Sequence, residues 1–221
     1  EYENPNINLN KEVTDAFFSY VRNEFALQKK YITIFGGEPL LPSSKQKEVI
    51  AYFIDQVNKH YLTYSLVTNG YSLLEYIDIL KQGCIREIQV TLDGLADIHD
   101  TRRFLKGGGA TFDKIAAGID ALLANDIPVN LRMVVDRENI HHLPKLADYA
   151  IAKGWTKHTL FKTQLGRNYE LHHCQQEHER LFTRIGMYEK IYELLKEYPS
   201  VLEFHKPAFS ISRFLSENGE L

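Results

Sequence analysis

Hydrophobic positions along the chain alternate between a repeat of two residues and a repeat of about 3.6 residues. Short apolar runs with β-branched residues predict strands, and longer runs with one apolar stripe predict helices. The predicted strands are residues 31–35, 63–68, 85–92, 128–135 and 158–163. The predicted helices are residues 9–27, 43–60, 72–82, 111–125, 143–153 and 177–198, and the tail 201–221 is mixed.

Capping residues mark several of these helix boundaries. Asn10 and Thr111 stand where a side-chain oxygen can accept a hydrogen bond from the first helical turn. Gly83 and Gly154 follow the last apolar position of two helices, where a left-handed backbone is common. These four residues are therefore expected to limit their helices.

The order of elements predicts an α/β fold with a parallel sheet. Strand and helix alternate about five times with short connections, which favours right-handed crossovers. We find no linker, charge block or low-complexity segment, so residues 1–221 are interpreted as a single domain. In such folds the ligand site lies at the carboxyl ends of the strands.

Small and polar residues stand at these predicted strand ends, and the segment 31–41 is the most informative. Its apolar run stops at Gly36-Gly37, and Glu38 and Pro39 follow at once. Two glycines allow a ligand or a backbone to approach closely, and a carboxylate suits a cation such as an ammonium group; a tight turn is the alternative. The other strand-end residues are Thr68-Asn69-Gly70, Thr91, Asp93-Gly94, Asp136 to Asn139, and Gln164 to Arg167.

Composition removes several classes of function. Of 221 residues, 44% are hydrophobic and 25% are charged, and the formal net charge of -3 gives no reason to expect nucleic acid or a membrane surface as partner. No apolar run is long enough to span a bilayer. Cys84 and Cys174 are far apart, so neither a disulfide framework nor a cysteine-rich metal site is expected. A reducing, cytoplasmic setting fits best.

Two further motifs carry weaker signals. The loop Gly107-Gly108-Gly109 could cradle a phosphate, but it lacks the Gly-Lys-Ser/Thr of a P-loop, so a hinge or plain loop is favoured. His172, His173, Cys174 and His178 have metal-binding side chains without ligand spacing on a helix. Surface or packing histidines are the favoured interpretation, and no metal site is predicted in the chain.

An ordered set of motifs runs from Gly36 to Phe112. The motifs are Gly36-Gly37-Glu38-Pro39-Leu40, Val67-Thr68-Asn69-Gly70, Val90-Thr91-Leu92-Asp93-Gly94, His99-Asp100, Arg103, and Gly109-Ala110-Thr111-Phe112. This set is similar to the radical S-adenosylmethionine superfamily. The resemblance is closest to its branch with an added carboxyl-terminal cysteine-rich (SPASM-type) domain, which includes anaerobic sulfatase-maturating and peptide-modifying enzymes. Beyond Val135 it is general.

The resemblance implies a partial (β/α)6, TIM-like barrel whose first strand would lie upstream of Glu1. It also implies a CxxxCxxC loop after that strand, whose thiolates hold a [4Fe-4S] cluster, and the chain has no such loop. The sequence is therefore expected to be a fragment that is inactive alone and binds no cofactor alone. The cluster loop is expected within about 20 residues before Glu1, and a cysteine-rich extension after Leu221.

The resemblance further implies an activity for the parent protein. In the family, the reduced cluster cleaves S-adenosylmethionine to a 5′-deoxyadenosyl radical that abstracts hydrogen, here expected from a peptide or protein substrate. An electron donor such as ferredoxin or flavodoxin is also implied. Two alternatives stay open: a non-radical barrel enzyme that uses Glu38, Asp93 and Arg103, and a non-catalytic barrel that binds an amino-acid-like ligand or a partner protein.

Cofactor contacts are carried over residue by residue. Gly36, Gly37 and Glu38 map onto the strand end that binds the methionyl ammonium. Arg103 stands where relatives bind the methionyl carboxylate, and its neighbour Arg102 is a rival for the same task.

The remaining candidates have turn or loop roles as alternatives. Thr68 and Asn69 could bond the ribose or the amino-acid moiety, and Asp93 could bond ligand or substrate. The end of the last strand could touch adenosine or substrate through Gln164, Gly166, Arg167 and Asn168. No catalytic residue is identifiable in the chain.

Overall fold

The computed structural model describes residues 9–168 and 179–205 of the chain. Five strands form one sheet, and every adjacent pair in it is parallel. Their spatial order follows the sequence, so each strand pairs with the next along the chain. The strands are β1 (Ile32–Ile34), β2 (Tyr64–Thr68), β3 (Ile85–Thr91), β4 (Val129–Val135) and β5 (Phe161–Arg167).

Helices connect the strands and follow the last one. Short 3-10 turns at Leu73–Glu75, Ile140–His142 and Trp155–Lys157 join some of them. In the part of the chain that the structure describes, no helix has the length and apolarity to cross a membrane. The helices are α1 (Lys11–Phe25), α2 (Ser44–Lys59), α3 (Ile77–Leu80), α4 (Ala96–Arg102), α5 (Phe112–Ala124), α6 (Leu143–Ala152), α7 (Arg184–Glu197) and α8 (Pro199–Phe204).

One face of the sheet is apolar and packs against the helices. Leu66, Ile88 and Leu131 on neighbouring strands are fully buried on this face. Helical residues such as Ile54 and Leu146 belong to the same buried cluster. Side chains alternate between the two faces of a strand, so the intervening residues point away from this core.

The opposite face carries mostly polar side chains, and we call it the polar face. Glu87 on β3 and Lys162 on β5 form an ion pair across it. A sheet that presents charged residues on one side is unlike the fully apolar sheets of doubly wound folds. The polar face consists of Thr33, Ser65, Val67, Glu87, Gln89, Thr91, Asn130, Arg132, Val134, Lys162, Gln164 and Gly166.

The predicted α/β fold with a parallel sheet is confirmed, and among the described residues the sheet is not closed. Two connections differ from the prediction. The expected helix 72–82 is divided into the turn Leu73–Glu75 and α3, because Tyr76 is fully buried and its hydroxyl donates to the Leu41 carbonyl (2.5 Å). The helix α4 was not among the predicted helices; its seven residues include one buried side chain, too few for a periodic signal.

The last strand lies further along the chain than predicted. It was expected at 158–163 and is found at Phe161–Arg167, so Gln164, Gly166 and Arg167 lie within β5 and not beyond its end. Pairing with β4 from Val129 to Val135 extends the strand despite its polar sequence. The predicted helix 177–198 begins at Arg184 in α7; residues 177 and 178, like residues 206–221 of the tail, lie outside the described residues.

The capping predictions had mixed outcomes. The Asn10 side chain accepts a hydrogen bond from the Val13 N–H (2.8 Å), and Gly154 has the expected left-handed backbone (φ 76°). Gly83 has no positive φ, and the prediction that it ends the helix is wrong, because α3 already ends at Leu80 with Lys81 as its C-cap. Thr111 makes no side-chain cap, because Asp100 takes that role and accepts from the Thr111 N–H (2.8 Å).

Candidate functional site

A cleft of about 510 Å³ opens at the carboxyl ends of the first three strands. Because the strands are parallel, the loops that follow them meet at this edge of the sheet. Glu38 and Arg103 lie 65 positions apart in sequence and both line the cleft. Its walls are formed by Glu38, Leu40, Leu41, Pro42, Asn69, Tyr71, Ser72, Arg102, Arg103, Phe104, Leu105, Thr111 and Ile115.

The Glu38 carboxylate joins two strand ends. It accepts hydrogen bonds from the Leu40 N–H (2.8 Å), the Thr68 hydroxyl (2.6 Å) and the Asn69 N–H (2.7 Å). A carboxylate has about four acceptor positions. The bonds within the described residues therefore leave one acceptor position for a ligand donor.

The two glycines before Glu38 differ in what they require. Gly36 has a positive φ (+152°), which side chains of other residues rarely allow. Gly37 has no positive φ, and a Cβ added to it would meet no atom within 4 Å. No contact inside the described chain explains the missing side chain at Gly37, so the glycine leaves open space next to the carboxylate.

Thr68 and Asn69 both take part in the turn after β2. The Thr68 hydroxyl donates to Glu38 and accepts from the Gly70 N–H (3.0 Å). The Asn69 side-chain oxygen accepts from the Tyr71 N–H (2.9 Å), as in an Asx turn. The turn alternative thus accounts for these bonds, although Asn69 is exposed and lines the cleft.

Asp93 is a buried anchor between β3 and β4, with 2% of its surface exposed. Its carboxylate accepts from the Val134 N–H (3.1 Å) and from Arg103 Nε (2.7 Å). Its backbone carbonyl accepts from the Asn139 side chain (3.0 Å). Asp93 itself does not line the cleft. It affects the cleft by orienting the side chain of Arg103, which does line it.

The neighbouring arginines have different environments. The Arg103 side chain is 37% exposed and uses Nε for Asp93, and its terminal nitrogens have no hydrogen-bond partner among the described residues. The Arg102 side chain is 14% exposed, and its terminal nitrogen lies 2.8 Å from the Asp136 carboxylate. Both arginines line the cleft, and Arg102 Nε also lies 3.6 Å from the Asp93 carboxylate. The terminal nitrogens of Arg103 are available to a ligand, whereas Arg102 is bound by the buried Asp136.

Asp136 is the centre of that second cluster and is fully buried. Its carboxylate accepts from Arg102, from the Asn168 amide (3.1 Å) and from Arg180 Nε (3.0 Å). Burial raises the pKa of Asp136, but these hydrogen bonds and charges outweigh burial, so its pKa lies below the ordinary value. Arg180 was not predicted from the sequence; it comes from a segment 44 residues away.

His99 supports the end of β3 from the helix α4. It is fully buried, and its Nδ1 accepts from the Asp93 N–H (3.1 Å). Burial lowers the pKa of His99 from 6.5 to about 4, although the nearby Asp93 opposes this shift. His99 is therefore a neutral acceptor near neutral pH and holds the backbone that carries Asp93.

The remaining candidates do not join the cleft. Cys84 is exposed and directly precedes β3, so it lies at the amino end of the strands, opposite the cleft. Gly108 has a positive φ (+81°) in an open loop, as the plain-loop interpretation expects. Residues 172–174 and 178 lie outside the described residues. Across 9–168 and 179–205, no group of three or more His, Cys, Asp or Glu side chains could hold a metal ion.

Comparison with known families gives a match to the Radical SAM superfamily over residues 7–150. This is more than half of the 221 residues. The chain therefore belongs to the radical SAM superfamily, and the family prediction from the strand-end motifs is confirmed.

Individual relatives agree with this membership. The chain is 28% identical over 160 residues to the AdoMet-dependent heme synthase of Methanosarcina barkeri, covering 71% of this chain and 44% of the relative. It is 27% identical over 114 residues to a cysteine-type anaerobic sulfatase-maturating enzyme of Clostridium novyi, covering 50% and 30%. The chain thus spans less than half the length of these relatives.

A solved structure shows the same fold. Native anSMEcpe with bound AdoMet and the Cp18Cys peptide superposes with a TM-score of 0.69 at 20% identity. The match covers 86% of this chain and 52% of that one. The partial-barrel prediction is therefore confirmed, with a parallel sheet that is open over the described residues.

Replacing Arg102 with Gln is expected to lower the free energy of unfolding by about 2 kcal/mol, because the buried Asp136 loses one of its cationic partners. Urea unfolding of the protein at pH 7 measures the change. Arg22→Gln removes an exposed arginine on α1 and is the matched control, with an expected change within about 0.5 kcal/mol. Equal free energies of unfolding for the Arg102 variant and the native protein would show that the Arg102–Asp136 pair adds no stability.

The buried His99 is expected to make stability fall on acidification. Below pH 6.5 the unfolded chain protonates this histidine, while the folded protein does not until about pH 4. Stability therefore drops between these values, by about 2 kcal/mol at pH 5. Urea unfolding at pH 7 and pH 5 tests this, and His99→Asn, which keeps an acceptor but does not titrate, should show a drop smaller by about that amount. A drop of the same size in the variant would assign it to other groups.

Proposed function

We propose that this chain is the S-adenosylmethionine-binding core of a radical SAM enzyme whose cluster cysteines lie outside the chain. The observation that carries the proposal is one cleft with a carboxylate on one wall and an available guanidinium on another, at Glu38 and Arg103. An amino acid carries an ammonium and a carboxylate on one carbon, so it needs these two groups close together. Membership of the superfamily favours this reading over a non-radical barrel enzyme or a non-catalytic barrel.

Glu38, with Gly36 and Gly37, is proposed to bind the methionyl ammonium. The remaining acceptor position of the carboxylate and the open space at Gly37 support this assignment. An ammonium has three N–H donors, so backbone carbonyls of the glycines could accept the others. Thr68 then has a supporting role, because its hydroxyl holds Glu38 in place.

Arg103 is proposed to bind the methionyl carboxylate. Arg103 Nε donates a hydrogen bond to the Asp93 carboxylate. The two terminal nitrogens are left for a charge-assisted contact with both oxygens of a carboxylate. The apolar walls at Leu40, Leu41 and Phe104 would limit water around that contact and strengthen it. Asn69 lines the same cleft and is proposed as a contact for the ribose or the amino-acid moiety.

A [4Fe-4S] cluster and S-adenosylmethionine, when bound in the whole protein, would supply the one-electron cleavage that generates a hydrogen-abstracting species. Thiolates that could hold such a cluster are not found among the described residues, where Cys84 stands alone at the far edge of the sheet. The share of this chain is to bind the amino-acid end of the cofactor and to exclude water from it. The isolated chain is proposed to be inactive for the same reason.

A peptide or protein is the proposed substrate of the whole protein. The likeness to anSMEcpe with its bound peptide and to a sulfatase-maturating enzyme supports this substrate class. The electron donor is proposed to be a small reducing protein such as ferredoxin or flavodoxin, in a cytoplasmic setting. Iron and sulfide analysis of the anaerobically purified full-length protein tests the cluster directly, and a preparation without bound iron would contradict it.

Replacing Arg103 with Gln in the full-length protein is expected to weaken S-adenosylmethionine binding by about ten- to hundredfold, because a charge-assisted forked contact is lost. Equilibrium dialysis with labelled S-adenosylmethionine measures the dissociation constant. The control is Lys106→Gln, which removes an exposed positive charge three residues away that does not line the cleft.

Unchanged affinity in the Arg103 variant would remove Arg103 from the binding site. Equal weakening in the Lys106 variant would assign the effect to general charge. Glu38→Ala serves as a companion variant: it should also weaken binding, and affinity equal to the native protein would remove Glu38 from the site.

A further inference from the structure

Arg132 stands at the middle of the polar face without a function in the proposed cofactor site. It lies on β4, in register with Thr91 on β3 and Gln164 on β5. It does not line the cleft that contains Glu38 and Arg103. The residue is therefore a separate feature of the polar face.

The Arg132 guanidinium is half-buried and unpaired within the described residues. No hydrogen bond or ion pair to it occurs across residues 9–168 and 179–205, and its Nε is buried without a partner. A buried donor without a partner costs stability, and more so when it is charged. Such a group needs an explanation, and an anionic ligand is one that fits its positive charge.

Gly166 makes the room in which the guanidinium lies. A Cβ at this position would meet Arg132 Nε at 2.9 Å and a terminal nitrogen at 3.0 Å. Gly166 is one row nearer the carboxyl end of the sheet than Gln164, opposite Val134. The Arg132 side chain therefore leans along the polar face toward the edge where the cleft opens.

The acids of this face do not neutralise Arg132. Glu87 forms an ion pair with Lys162. It lies four residues toward the amino end of β3 from Thr91, the residue in register with Arg132, which is about 13 Å along the strand. Toward the carboxyl end, Asp93 is bound by Arg103, and Asp136 by Arg102 and other donors. Arg132 thus keeps a positive charge among neutral amides and a hydroxyl.

We propose that Arg132 binds an oxyanion of the substrate, a carboxylate or a phosphate, on the polar face. This inference rests on the proposed function in one respect: it takes the polar face to be the side from which substrate meets the cofactor. A guanidinium presents parallel N–H donors that match the two oxygens of such a group. Thr91 and Gln164 in the same row can donate further hydrogen bonds to it.

The experiment uses the full-length protein, with S-adenosylmethionine in excess so that the proposed carboxylate site at Arg103 is occupied, and two probes. Equilibrium dialysis against radiolabelled inorganic phosphate and, separately, radiolabelled succinate gives a dissociation constant for each. Arg132→Gln is expected to weaken the tighter of the two by about ten- to hundredfold. The probe that binds more tightly identifies the kind of oxyanion.

Two further variants separate position from charge. Gly166→Ala keeps every charge but crowds the guanidinium, so it should weaken binding as well. Arg22→Gln removes an exposed arginine on α1 and should leave binding unchanged. Equal affinity of the native protein and the Arg132 variant overturns the proposal, and so does an equal loss in the Arg22 variant.

Stability provides an independent check. Because the guanidinium makes no hydrogen bond within the described residues, Arg132→Gln is expected to leave the urea midpoint unchanged or raised. A lowered midpoint would show that Arg132 pairs with a group of the protein itself and would overturn the proposal. Failure of the proposed function is seen separately, as an absence of S-adenosylmethionine binding by the native protein.

Discussion

The site depends on one buried carboxylate at the end of β3. Asp93 bonds the backbone of β4, holds the Arg103 guanidinium and accepts the Asn139 side chain through its carbonyl. A charge with 2% exposure is tolerable only when it is paired and fully hydrogen-bonded. This requirement fixes α4 and the loop after β4 against the strand end, and with them the wall of the cleft that carries Arg103.

Two adjacent arginines have different partners at the carboxyl ends of the strands. Arg102 and Arg103 come at the end of α4, where successive side chains point in different directions. One direction leads to Asp136, which is enclosed by donors from three segments of the chain. The other leads to the cleft. Both arginines line the cleft, but Arg102 is bound by Asp136, so the terminal nitrogens of Arg103 are the ones available to a ligand.

Much of this architecture could be predicted from the sequence, because glycines, acids and turn pairs mark the ends of apolar strands. The pattern predicted the parallel sheet and brought Glu38 and Arg103 to one edge. The family resemblance favoured Arg103 over Arg102, but the pattern supplied no physical reason for this preference, which depends on the buried Asp136. The contact of Arg180 with Asp136 could not be predicted, because the two residues are 44 positions apart. The strand β5 was predicted too early in the chain, because its bounds depend on pairing with β4 and not on its own polar sequence.

The bonds of Glu38 have a consequence for how a ligand would be received. Its carboxylate ties the loop after β1 to the turn after β2 through Thr68 and the Asn69 backbone. These two loops are thus held as one unit before any ligand arrives. An occupant would meet a prearranged pocket wall and would not have to supply the free energy of ordering it. Occupancy would also be transmitted to both loops at once, because one side chain is shared between them.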